Sequence, residues 1–158
     1  MWIYDICGAF EKAQIRYAVV GGYALTLHGA ARGTIDLDLV IELTKPTFLK
    51  AEKALIGLGF ESRLPVTAAQ VHDFRKEYIL NRNLVAWSFF HPGRQNEIID
   101  IIITDDARKM KVDKMKVDGH PIRVASLESL IEMKRKRGRP QDLIDVAALE
   151  TLKKGVSR

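Results

Sequence analysis

Two aspartates stand two residues apart in Ile35-Asp36-Leu37-Asp38-Leu39. Alternate residues of a strand share a face, so Asp36 and Asp38 would lie side by side. Adjacent carboxylates repel each other, and a core tolerates them only with a cation between. All-oxygen ligation of that kind suits Mg²⁺ or Mn²⁺. A solvent-facing strand edge would carry the same pattern with no chemistry. A third acid, Asp100, interrupts Ile98-Ile99-Asp100-Ile101-Ile102-Ile103. A carboxylate inside an apolar strand is expensive unless it is paired, hydrogen-bonded or metal-bound. If the two strands adjoin, Asp36, Asp38 and Asp100 converge, a set able to hold two metals about 3.5–4 Å apart for in-line attack on phosphorus.

Gly21-Gly22 closes an apolar run and precedes a helix-compatible segment. Glycines there let a ligand approach the backbone, and a helix start offers free N–H groups to an anion. The same junction serves equally as a tight turn. Lys134 alone reads as an exposed helix lysine. His28 reads as a packed or capping histidine, although it lies near the Gly-Gly junction. Trp87, Phe89 and Phe90 read as core aromatics rather than a stacking platform.

These residues need elements to position them. Ile3, Ile6, Cys7, Phe10 and Ala13 make a helical stripe over residues 3–15. Tyr17-Ala18-Val19-Val20 is a buried strand, and residues 23–29 form a helix ended by Gly29. Residues 35–43 form a strand edged with acids. Pro46 opens a helix whose face is Phe48, Ala51, Leu55 and Leu58. Residues 60–70 carry no clear signal. Residues 84–90 and 97–103 read as strands joined by His91-Pro92-Gly93-Arg94, and Asp118-Gly119 turns a second hairpin. Ser126 caps a helix ended by Gly138, and Pro140 opens the last helix, through about Leu152. The expectation is an α/β (α+β) fold: a mixed sheet flanked by helices, with a largely β middle. It forms one domain over 1–158, with a core of about 17–125 and a helical part of about 126–153.

Composition narrows the classes. With 158 residues and 47% hydrophobic content, the chain can bury a core without a metal staple. The lone Cys7 excludes an internal disulfide framework and any multi-cysteine zinc site. No basic-then-apolar leader begins the sequence, and no run approaches the ~18 apolar residues of a membrane span, so a cytoplasmic location is expected. The net charge of +5 is uneven. Residues 1–106 hold 11 Lys/Arg against 13 Asp/Glu, whereas residues 107–158 hold 14 against 7. A basic last third suits a polyanion such as nucleic acid or a nucleoside triphosphate, or simply a solvated helix surface.

Val20-Gly21-Gly22-Tyr23-Ala24-Leu25, His28-Gly29-Ala30 and Arg32-Gly33-Thr34-Ile35-Asp36-Leu37-Asp38-Leu39-Val40 resemble the signature of the nucleotidyltransferase superfamily, the DNA polymerase β-like fold. The sequence is most similar to the branch of minimal nucleotidyltransferases and AbiEii-type toxins of type IV toxin–antitoxin systems. Met133-Lys134, Gly138-Arg139-Pro140, Gln141-Asp142-Leu143 and Asp145 are similar to that branch's helical motif. The resemblance covers roughly residues 17–43 and 95–150.

It implies transfer of a nucleoside monophosphate from an NTP to a hydroxyl on RNA, such as a tRNA end, or on protein. Asp36, Asp38 and Asp100 would bind Mg²⁺ or Mn²⁺, with Asp100 also a base for the attacking hydroxyl. Gly21 and Gly22 would cradle the triphosphate, and Lys134 and Arg139 would reach its phosphates. Arg32, Thr34 and Asp142 complete the implied nucleotide-binding set, and an antitoxin is the implied protein partner. Many active members carry Gly-Ser after the first strand. Gly22 and Tyr23 stand here instead, so a direct serine contact to phosphate is lost. The alternative is a non-catalytic nucleotide- or partner-binding module with the same fold.

Overall fold

The computed structural model describes residues 1–31 and 36–156. The expectations placed on Arg32 and Thr34 lie outside those residues.

Helix α1 (Trp2–Lys12) buries Ile3, Ile6, Cys7 and Phe10, the stripe that its 3.6-residue period dictates. Strand β1 (Tyr17–Val20) is buried at all four positions, so it has protein on both faces. Helix α2 (Gly21–Leu27) follows with no intervening loop, which places both glycines in its first turn rather than ahead of it. Strand β2 (Leu37–Ile41) is shorter than the acid-edged run, and Asp36 stands just before it. Helix α3 (Lys45–Gly57), with Pro46 in its first turn, buries Thr47, Phe48, Ala51 and Leu55.

The middle of the chain corrects the largely β expectation. A two-residue strand β3 (Glu61–Ser62) leads to helices α4 (Ala68–Asp73) and α5 (Arg75–Arg82). Thr67 and Gln70 form a reciprocal capping box at the start of α4, while Ala68 and Val71 seat it on the core. Strands β4 (Ala86–His91) and β5 (Arg94–Ile102) form the expected hairpin. A short 3₁₀ turn (Ala107–Lys109) leads to a second hairpin, β6 (Val112–Val117) and β7 (His120–Ala125). Helix α6 (Leu127–Arg137) starts at Ser126, whose side chain accepts from the Ser129 N–H. It stops at Gly138 in the left-handed conformation, and α7 (Pro140–Val156) runs back against it.

The seven strands form one mixed sheet in the order β3-β4-β5-β2-β1-β7-β6. β2 lies antiparallel to β1 and parallel to β5, and β1 lies parallel to β7. One face carries Leu37, Leu39, Trp87, Phe89, Ile99 and Ile101, all fully buried. Phe48 of α3 packs on Trp87 with ring centroids 6.0 Å apart, and Trp87 lies 4.6 Å from Phe89. Side-chain alternation turns Asp38, Asp100 and Ser88 to the opposite face, where α6 leans over the sheet. No helix among the described residues is long and apolar enough to cross a membrane.

Candidate active site

The register of three strands builds the site. Val20 pairs with Asp38 across β1 and β2, Asp38 with Asp100 across β2 and β5, and Asp100 with Ser88 across β5 and β4. Asp38 and Asp100 are therefore neighbours on one face. Ser88 Oγ donates to Asp100 Oδ1 at 2.5 Å, which fixes one carboxylate oxygen.

Burial and repulsion dominate the electrostatics. Asp38 is pushed up to about 7, first by burial and then by the charges of Asp100 and Asp36, with Arg137 and Lys134 opposing. Asp36 is also raised, first by burial and then by Asp100, while Arg63 pulls it down. The three acids thus feel one another although only two are in register. Among the described residues no three His, Cys, Asp or Glu side chains already stand close enough together to hold a metal. Carboxylate oxygens that repel one another nevertheless fit a hard divalent cation.

Gly21 explains why the junction is glycine. Its φ of +69° is left-handed, and a Cβ there would lie 2.9 Å from Asp38 Cγ and nearer still to Asp38 Oδ2. The backbone at the start of α2 is packed directly on the Asp38 carboxylate. Beside it a narrow space of about 30 Å³ is lined by Val20, Gly21, Asp38, Ile102, Met133 and Lys134, with Leu130 and Arg137. That volume suits one water or one ion rather than a nucleotide.

Helix α6 supplies the cations, in a pattern that revises part of the expectation. Lys134 lines the cleft, but its Nζ is already held by Asp145 at 3.1 Å and Asp142 at 3.5 Å. An ammonium has three donors, so one is left for a ligand oxygen. Arg139 does not line the cleft. Its Nε donates to Asp142 Oδ2 at 2.7 Å, and its backbone N–H donates to the same oxygen at 3.2 Å. Asp142 is fully buried and held down to about 2, chiefly by the Arg139 hydrogen bond. Asp142 therefore positions Lys134 and Arg139, with its oxygens occupied by them.

Three residues escaped the sequence reading. Arg137 lines the cleft with Lys134, one helical turn away; the i, i+3 spacing was a usable signal. Ser88 and Arg63 reach the acids only through strand pairing, for which the sequence carries no local mark. His28 is a packed residue as expected, donating from Nε2 to the Ala125 carbonyl at 2.8 Å. Trp87 and Phe89 are core, whereas Phe90 is half-exposed on the acid face.

The sheet order, the acid pair and the glycine packed against it define a mixed α/β chain with a nucleotidyltransferase-like fold. The solution structure of the antibiotic-resistance factor ANT(2'')-Ia is similar over 98% of this chain and 83% of that one, at TM-score 0.62 and 15% identity. The crystal structure of ANT(2'')-Ia with adenylyl-2''-tobramycin is similar over 99% and 89%, at TM-score 0.59 and 15% identity. A nucleotidyltransferase-like antigenic protein from Paracoccidioides brasiliensis is similar over 96% and 74%, at TM-score 0.58 and 16% identity. No protein-family model matches the sequence, and no curated protein matches it.

Proposed function

We propose that this protein is a metal-dependent nucleotidyltransferase that moves a nucleoside monophosphate from an NTP to an acceptor hydroxyl. The observation that carries the reading is Asp38 in register with Asp100 while the Gly21 backbone rests on Asp38. Asp38, Asp100 and Asp36 would hold Mg²⁺ or Mn²⁺, which would supply positive charge to the α-phosphate and the departing pyrophosphate.

The chain's own residues account for the remaining steps. The first turn of α2 receives phosphate oxygens through free N–H groups. Lys134, with one donor left, and Arg137 stabilise negative charge as it grows on the leaving group. Asp100 accepts the proton of the attacking hydroxyl while Ser88 holds its other oxygen. The hydroxyl oxygen bonds to the α-phosphorus, the bond to the bridging oxygen breaks, and pyrophosphate leaves. A cavity of about 390 Å³ between α2 and α7, lined by Leu25, Ala30, Ala31, Gln141, Asp145 and Ala148, is large enough for a nucleoside.

The adenylylated tobramycin bound to ANT(2'')-Ia makes a small aminoglycoside one class of acceptor to consider. The basic last third of this chain favours a polyanionic acceptor such as RNA instead. A toxin role with a cognate antitoxin rests on the resemblance of the Gly21–Asp38 segment and the α6–α7 motif alone. A non-catalytic nucleotide-binding module is the second reading, favoured by Gly22 in place of serine and by the two carboxylates already on Lys134.

Calorimetric titration with ATP, GTP, CTP and UTP, with and without Mg²⁺, separates the two. The enzyme reading expects Mg²⁺-dependent binding of at least one NTP that Asp38→Ala weakens by tenfold or more. Binding indifferent to both metal and substitution would establish the module instead.

A further inference from the structure

The acid face of the sheet continues past Asp100 toward its β3 edge, and the side chains there are not those of a core. Ser88 and Phe90 point the same way along β4, and Phe90 pairs with Ile98 of β5. Phe90 and Ile98 are both half-exposed, and neither belongs to the apolar cluster that buries Trp87 and Phe89. The residue after β3 adds a cation at the rim. Trp87 Nε1 donates to Ser62 Oγ at 3.2 Å, so Ser62 faces the core side and the next residue, Arg63, faces the acid side. The Arg63 backbone N–H donates to the Ser88 carbonyl at 2.9 Å, which ties it beside the Ser88–Asp100 pair. The Arg63 charge also draws the Asp36 carboxyl downward, so the guanidinium lies near the acids. Arg63 and Phe90 also line an open cavity of about 410 Å³ with His91, Pro92 and Gln95.

We propose that Phe90, Ile98 and Arg63 form the acceptor platform, and that the acceptor is the 3′ end of a single-stranded nucleic acid, its terminal base on Phe90 and a backbone phosphate on Arg63. The proposal rests on the nucleotidyltransferase reading for the word acceptor, but its binding claim stands alone. An aromatic face beside a cation is the recurring way to hold an unpaired base and its phosphate. A polycationic small acceptor would meet Arg63 with like charge. A protein hydroxyl could rest on Phe90 but brings no phosphate for Arg63. The platform lies on the Asp100 side of the acid pair, opposite the Gly21 junction, so base and triphosphate would approach from different sides.

The test is an anisotropy titration of the full chain with a fluorescein-labelled ten-nucleotide RNA bearing a free 3′ hydroxyl. Phe90→Ala and Arg63→Glu are each expected to weaken binding about tenfold. Phe90→Tyr should retain affinity and Phe90→Leu should not, which separates stacking from simple apolar cover. Mg²⁺-dependent NTP binding, measured separately by calorimetry, should be unchanged in the three Phe90 variants. No RNA binding by the parent chain, equal binding by Phe90→Ala and Arg63→Glu, or full affinity in Phe90→Leu would each overturn the platform. Nucleotide label passing to protein and not to RNA would overturn it as well. Loss of NTP binding in the parent chain would remove the enzyme reading and leave the RNA result to be judged by itself.

Discussion

Gly21 shows how one residue type can be dictated by a carboxylate on another strand. Two constraints meet there: a left-handed φ and the absence of room between its Cα and Asp38. Gly21→Ala should cost about 1–3 kcal/mol from backbone strain alone. Differential scanning calorimetry should show a Tm lower by roughly 5 °C. Because Asp38 must shift to admit the methyl group, Mg²⁺-dependent NTP affinity should fall too. Gly8→Ala is the control: nothing lies within 4 Å of a Cβ at that helical position, so it should leave stability unchanged or raise it slightly. That Asp36, Asp38 and Asp100 call for a partner was legible in the residues, since acids among isoleucines and leucines need a reason. Their alignment was not. It depends on β2 lying parallel to β5, a pairing across some sixty residues that no local pattern records. Ser88 and Arg63 were hidden for the same reason.

Among the elements, the α6–α7 pair is held by charge where the sequence suggested phosphate contacts. Buried Asp142 engages Lys134 and Arg139, Asp145 takes the other side of Lys134, and Arg135 reaches Glu150 at 2.7 Å. Removing one member of a buried pair leaves an uncompensated charge, so Asp142→Ala should lower unfolding free energy by roughly 3 kcal/mol in urea titrations. The pH dependence has a definite sign. Asp142 is held from its usual 3.8 down to about 2, so the folded chain binds a proton there less readily than the unfolded one. Its stabilisation is complete above the ordinary carboxylate value and disappears as pH falls toward about 2. Urea midpoints measured from pH 5 downward should decline in the parent chain and decline less in Asp142→Asn.

Much of this level was readable in advance. The Ser126 cap, the Gly138 stop and the Asp118-Gly119 turn stand where their side-chain chemistry requires. Helices α4 and α5 were not read. α4 spans only Ala68–Asp73, and its Thr67–Gln70 capping box was the available signal. α5 buries none of its residues, so it has no apolar stripe to detect.

For the whole molecule, the fold separates two kinds of surface. One face of the sheet is sealed by α1 and α3, and the other presents the acid pair between a basic helix and a half-exposed aromatic edge. The positive balance of residues 107–158 lies in the part of the chain that contains α6 and α7. A chain that brings negative substrates to a negative centre needs cations at the margin and a metal at the middle. This arrangement gives the nucleotidyltransferase reading its physical sense, with the fold shared at 15% identity supplying the frame. The most direct measurement is transfer of α-³²P label from each NTP, in Mg²⁺, to total RNA and to total protein, resolved on denaturing gels. Label on RNA is expected, disappearing with EDTA and falling at least a hundredfold in Asp38→Ala and in Asp100→Ala. Absence of transfer with every NTP, or transfer that survives both substitutions, would contradict it.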